Sequence, residues 1–283
     1  MDVYTIITNK IIEKLEKGVI PWKKPWIGGK GAFNRVSGKS YSMLNQMLLE
    51  HDGEYLTFNQ ITDLGGKLKK GAKAEIVVFF KMNEVEEKNE ESGETTLKKY
   101  PMLRYYRVFH ISNVEGIEPL TVEEINVNSN ADTEEESFTN AGNAIINYFT
   151  NTKIKYETTN GNKACYSPTT DTIRLPSYKQ FVNMNEYYGT LFHEIIHSTG
   201  HESRLNRNIK NTFGSSNYAK EELVAELGAV FLNNYYGVET DETFDNATAY
   251  IQSWLSALKN DKKLIVFASA QAEKAANYVL SVA

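Results

Sequence analysis

Five consecutive residues, His193-Glu194-Ile195-Ile196-His197, restrict this chain more than any other feature. On an α-helix, positions four apart stand about 40° apart around the axis, so both imidazoles project from one face and can chelate a single ion. Tyr188, Leu191, Phe192, Ile195 and Ile196 make an apolar stripe on the opposite side. That pattern predicts a buried, stiff helix at about 185–198, ended by Gly200. Glu194 points near the ligand pair but off its line, where a carboxylate can take a proton from water instead of ligating the ion. The donor set suits Zn2+, one per chain, although another divalent ion would also fit.

A catalytic zinc site needs a third protein ligand and an open position. A histidine six residues after His197 would supply one, and Gly200 fits that pattern, but position 203 is Ser203. The alternative is a glutamate on a following helix. Residues 218–235 read as that helix, with Gly237 at its end, and Glu222 and Glu226 share a face. Ala225, Gly228 and Ala229 are small enough for close packing on a neighbour. Glu222 is therefore the expected third ligand, with Glu221 as the alternative, and Glu226 is expected behind a ligand imidazole. Glu221 otherwise reads as part of a solvated acidic face. Tyr218, His201 and Arg204 are candidates for stabilising a transition state, or else surface residues. The stretch from Ala164 to Leu175, with Asp171 and Arg174, reads as an edge along which a peptide would lie.

The net charge of −5 conceals an asymmetry. Residues 1–82 carry 13 basic and 8 acidic side chains, whereas residues 115–136 carry eight acidic and no basic ones. From Asn126 onward this acidic stretch has no apolar periodicity, which reads as a linker. The expected fold class is α+β in two domains, 1–118 and 137–283, joined by an acidic linker at 119–136. In the first domain, helices are expected at about 6–17, 42–50 and 57–64, and strands at 74–82 and 103–111. In the second, a helix at 137–150, strand-like pieces at 154–158, 164–167 and 172–175, and then four helices are expected, the last two at about 245–258 and 269–282. No run of 18 apolar residues exists, so no membrane-spanning helix is expected. A single cysteine, Cys165, and a charged N-terminal stretch without a cleavage signal fit a reducing cytoplasm.

The basic half interleaves rings and cations. Trp22, Trp26 and Tyr41 alternate with Lys23, Lys24, Arg35 and Lys39, while Lys67, Lys69, Lys70 and Lys73 make a second cluster. Arg104-Tyr105-Tyr106-Arg107 puts both elements on a strand. Rings that stack on bases and lysines that follow phosphates make a platform for single-stranded nucleic acid. The same residues could equally be an ordinary core under a lysine-rich surface.

Both halves resemble one family. Pro21-Trp22-x-x-Pro25-Trp26, Asn34-x-x-Ser37-Gly38-Lys39-x-Tyr41-x-x-x-Asn45, Thr57-Phe58-x-Gln60 and Gly65-Gly66-x-Leu68-x-Lys70-Gly71 resemble the N-terminal domain of ArdC-type antirestriction proteins. The block from His193 through Gly200-His201-x-x-Arg204-Leu205-x-Arg207, with Tyr218 to Gly228, resembles that family's metallopeptidase domain. Ser198 departs from the aromatic found in many relatives and touches no expected ligand. The resemblance implies a single-stranded DNA-binding domain, a zincin-like domain, carriage on mobile elements and protection of incoming DNA from restriction. Two other readings share these residues: a DNA-coating protein whose metal is structural, and a regulatory protease that cleaves a host factor. The sequence does not name the protein substrate.

Overall fold

A computed structural model of the chain describes residues 2–23, 31–88, 95–121, 133–209, 216–238 and 247–283. Lys24 and Trp26, expected at a DNA surface, lie outside the described residues, as does most of the acidic linker. The architecture is α+β, as expected.

Helix α1 (Val3–Glu16) starts where the Asp2 carboxylate accepts the Thr5 amide at 3.1 Å. Its stripe of Ile7, Ile11, Ile12 and Leu15 is buried. Strands β1 (Ala32–Asn34) and β2 (Gly53–Leu56) flank α2 (Met43–Leu48). Then come α3 (Phe58–Asp63), β3 (Lys67–Leu68), the long ribbon β4 (Glu75–Lys88) and β5 (Thr95–His110), and β6 (Val114–Glu115). The first sheet has the order β1-β2-β5-β4, with β1 and β2 parallel and the other pairs antiparallel. Two buried amides hold α2 to this sheet. Asn45 donates to the Val78 carbonyl at 2.9 Å and accepts the Val78 amide at 2.7 Å; Gln46 does the same for Ala32, at 2.8 and 2.9 Å. The Asn45 contacts occupy backbone groups on the outer strand β4 that would otherwise pair with another chain.

The second half begins with α4 (Glu134–Thr152), capped by Thr133, so its acidic first turn belongs to the helix rather than to the linker. A small sheet follows, of β7 (Lys155–Thr159), β8 (Cys165–Ser167) and β9 (Thr172–Pro176), in the order β7-β9-β8. Strand β8 is its antiparallel edge. Among the described residues, four α-helices follow: α5 (Met184–Thr199), α6 (Ser216–Tyr236), α7 (Ala247–Asn260) and α8 (Leu264–Val282). Helix α8 begins five residues before the expected Ser269, because Leu264, Ile265 and Val266 are buried against the bundle. No described helix is long and apolar enough to cross a membrane.

One core runs through both halves. Ile7, Ile11, Leu15, Met47 and Leu48 of the first half pack in the same cluster as Leu191, Ile195, Leu227, Ala272 and Ala276 of the second. Trp22 corrects the sequence reading, which placed it at a DNA surface. It is 1% exposed, its Nε1 donates to the Tyr250 hydroxyl at 3.2 Å, and its ring meets Trp254 edge-on. Its amphipathic ring joins the N-terminal segment to α7 instead of waiting for a base. Trp22→Ala should therefore destabilise the protein by about 3–5 kcal/mol, measured as a shifted midpoint in chemical denaturation.

Candidate metal centre

Helix α5 starts where Asn183 accepts the Glu186 amide at 2.8 Å, and it ends at Gly200. Leu191, Phe192, Ile195 and Ile196 are fully buried, which turns His193 and His197 toward a cleft. Helix α6 lies against α5 at its smallest residue. A Cβ on Gly228 would come within 2.8 Å of Ile196, so a larger residue there would push the helices apart. This contact brings Glu222 opposite the two imidazoles. His193 Nε2 and His197 Nε2 are 3.1 Å apart, and each lies 3.6 Å from a Glu222 carboxylate oxygen. Among the described residues, these three form a group whose ligand atoms all fall within 4.8 Å of one another.

The donor set fits a divalent cation. Two imidazole nitrogens and a carboxylate oxygen converge at separations close to the ~3.3 Å edge of a tetrahedron with metal–nitrogen bonds of about 2.0–2.1 Å. Glu194 is buried on the same cleft wall. The cleft has a volume of about 770 Å3 and opens between α5, α6 and the edge strand, with Ala164, Cys165 and Tyr166 on one side and Tyr218 on the other. Burial would lower the pKa of His193, but its contact with the accepting Glu222 carboxylate and the charges of Glu194, Glu226 and Glu222 raise it overall. Burial would raise Glu222, and the two histidines with Tyr218 bring it below the ordinary carboxylate value. Burial, then the Glu222 carboxylate, push the Tyr218 phenol up to about 12, so it stays a neutral donor at the cleft edge.

Four expectations change here. Glu226 was expected behind a ligand imidazole, but its Oε1 accepts the Tyr250 hydroxyl at 2.6 Å. The carboxylate behind a ring is Glu221, whose Oε1 lies 3.2 Å from His197 Nδ1. Glu221 is buried rather than solvated, because Arg207 forks onto it with contacts of 2.6 and 3.1 Å. The signal for this was thin: i and i+1 face about 100° apart on a helix, and the balancing arginine sits in a loop. Arg204, expected as a candidate beside the reacting centre, is engaged away from the cleft of His193. Its side chain is 3% exposed and is held by Asp171 at 3.0 Å, the Ser198 carbonyl at 2.7 Å and Tyr166 at 3.1 Å. His201 bonds Ser203 at 2.8 Å and borders a neighbouring hollow with Glu202 and Asn208, not the cleft of His193.

Comparison with known proteins places this geometry. Residues 1–109 match the N-terminal domain of the anti-restriction factor ArdC, and residues 143–271 match a zincin-like metallopeptidase domain. The crystal structure of the antirestriction protein ArdC from plasmid R388 in its metal-free form is 34% identical, with a TM-score of 0.71, covering 99% of this chain and 97% of that one. The chain belongs to the ArdC antirestriction family. The Mn(II)-bound structure of the R388 protein gives 31% identity and a TM-score of 0.73, over 99% of this chain and 98% of that one. A DNA primase TraC of Escherichia coli is 32% identical over 98% of this chain. The chain spans 20% and 27% of the length of the two TraC proteins it matches.

The pair of the buried Arg204 and the half-buried Asp171 offers a stability test. Burial would raise the Asp171 pKa, but Arg204 and Tyr166 outweigh it and hold the carboxyl below its ordinary 3.8. The pair then stabilises the fold above that pH, and the contribution fades as acid protonates Asp171 through its lowered value. Asp171→Asn should cost about 3 kcal/mol at neutral pH, because it leaves a buried guanidinium unpaired. Urea unfolding should show the gap to wild type shrinking in strongly acid solution.

Proposed function

We propose that this chain is an antirestriction protein of a mobile element. In this reading its first part, residues 1–118, binds single-stranded DNA, and its last part, residues 137–283, is a metal-dependent peptidase acting on a protein not yet identified. The acidic stretch 119–136 divides the two in sequence. The observation that carries the peptidase reading is the convergence of His193, His197 and Glu222 beside the buried Glu194, in one cleft bordered by β8, the edge of its sheet among the described residues.

His193, His197 and Glu222 would hold the ion, with zinc as the favoured occupant. When bound, a divalent cation acidifies water and polarises a carbonyl. Glu194 accepts the proton of the attacking water and passes it to the leaving amine. Strand β8 offers its free edge to an extended peptide. Tyr218, neutral at the cleft margin, donates a hydrogen bond to the oxygen that gains charge. The R388 relative keeps its fold in both metal-free and Mn(II)-bound forms, and this chain matches the two about equally. That supports an ion used for chemistry over one needed to hold the fold together.

For DNA, the support lies on the ribbon, which carries the expected Arg104 and Tyr106, more than on the tryptophan segment. Opposite residues of an antiparallel pair share a face. Phe79 pairs with Arg104, Val77 with Tyr106, and Lys81 with Met102. Val77 is buried at the base of this face, while Phe79 and Tyr106 are 48% and 49% exposed beside the exposed Arg104 and Lys81. The opposite face, with Val78, Phe80 and Leu103, packs on the core. Exposed rings flanked by cations on a rigid ribbon make a stacking platform. Lys39, Lys67, Lys69, Lys70 and Lys73 are exposed and extend the cationic surface, with Lys69 also donating to the Ser112 carbonyl at 2.9 Å. Arg35 is tied to the buried Glu54, Tyr41 packs edge-on against Tyr55, and Lys23 sits 5.8 Å over the Tyr250 ring, so these three serve packing first.

Two variants test the two halves of the reading. Glu194→Gln should keep metal uptake near wild type and reduce peptide hydrolysis by about 10²–10⁴-fold; undiminished protection would mean that hydrolysis is not how restriction is defeated. Phe79→Ala/Tyr106→Ala should weaken binding to single strands by about 1–3 kcal/mol per lost stack, read by gel shift over a salt series. Unchanged binding would move the interface elsewhere.

A further inference from the structure

Arg207 is left unexplained by the chemistry above. It comes from the loop after α5, its side chain is 7% exposed, and its guanidinium makes four hydrogen bonds. Two go to the last turn of the metal helix: Nη1 to Thr199 Oγ1 at 2.6 Å and Nη2 to the Ile196 carbonyl at 2.8 Å. The other two fork onto both oxygens of Glu221, from Nη2 at 2.6 Å and from Nε at 3.1 Å. The loop can reach back only because residue 200 is glycine. A Cβ there would stand 3.1 Å from Arg207 Nη2 and 2.5 Å from Ile209.

The fork matters because of what Glu221 touches. A carboxylate only accepts, so its contact with His197 at 3.2 Å places the proton on Nδ1 and leaves the Nε2 lone pair facing His193 and Glu222. A carboxylate free to rotate would hold that tautomer poorly. A two-pronged guanidinium anchored to the same helix fixes its rotation, which a lysine, a single point charge, would not do.

We propose that Arg207 is a positioning residue for the metal centre: it locks Glu221, and Glu221 fixes the tautomer and orientation of His197. This rests on the metal-centre reading above. The competing account is that Arg207 only staples the loop 201–209 to the end of α5, with no effect passing through Glu221.

Mn(II) uptake by the full chain, read by loss of the free-ion signal in electron paramagnetic resonance, separates the two. Glu221→Gln and Arg207→Met should each weaken Mn(II) binding about 10–100-fold, and Arg207→Lys should restore little of it. In a Glu221→Gln background, Arg207→Met should cost less than about twofold more, because the partner it acts through is already disabled. Equal losses in both backgrounds, or an Arg207→Met protein that binds Mn(II) like wild type, would overturn the proposal. Near-ultraviolet circular dichroism of the metal-free variants checks folding. If Arg207→Met does not fold, Arg207→Lys carries the same comparison. A wild-type chain that takes up no Mn(II) would remove the metal-centre reading instead of the role of Arg207 alone.

Discussion

The close approach of α5 and α6 at Gly228 and Ile196 sets the geometry of everything around the cleft. Side chains from two helices meet at ligand distances only when the backbones are near enough, and a glycine at the crossing allows it. From this contact, adjacent glutamates divide their labour. Glu222 faces both imidazoles, and Glu221, one residue earlier, turns behind His197. Burying two carboxylates side by side is costly unless each is neutralised. Arg207 does so for the buried Glu221, whereas the half-buried Glu222 meets the two histidines and the Tyr218 phenol. That imbalance is what a cation would relieve.

Much of this was legible in the sequence. The two histidines and their apolar stripe fix a helix and its buried face together, and Gly200 marks its end. Glu222 was readable because the small residues Ala225, Gly228 and Ala229 announce a close crossing. What failed depends on partners far along the chain. Trp22 looks like a stacking ring until Tyr250 and Trp254, more than two hundred residues away, enclose it. Arg204 looks like a surface cation until Asp171 and Tyr166 meet it. The lengths of β4 and β5 were underestimated because the acidic run Glu84 to Glu91 reads as a loop, whereas backbone pairing carries the ribbon from Glu75↔Val108 to Lys88↔Thr95. Leu264-Ile265-Val266-Phe267 reads as strand or helix equally well, and only burial against neighbouring helices decides.

Charge and core give different divisions of the chain. By charge, the first part is basic and a strongly acidic stretch follows it. By packing, the first helix and Trp22 sit among the helices of the second part, while the ribbon carries one bare face outward. The exposed rings and cations of the ribbon and the cleft of His193 are thus mounted on one common frame.

That shared frame limits how such a protein can be rearranged. Severing it within the acidic stretch would leave Ile7, Ile11, Leu15 and the Trp22 indole facing water on one fragment, and an uncovered alanine-rich α8 on the other. Each fragment would be adhesive rather than functional. The TraC protein of Escherichia coli aligns with both parts at once, over 98% of this chain and 20% of its own length.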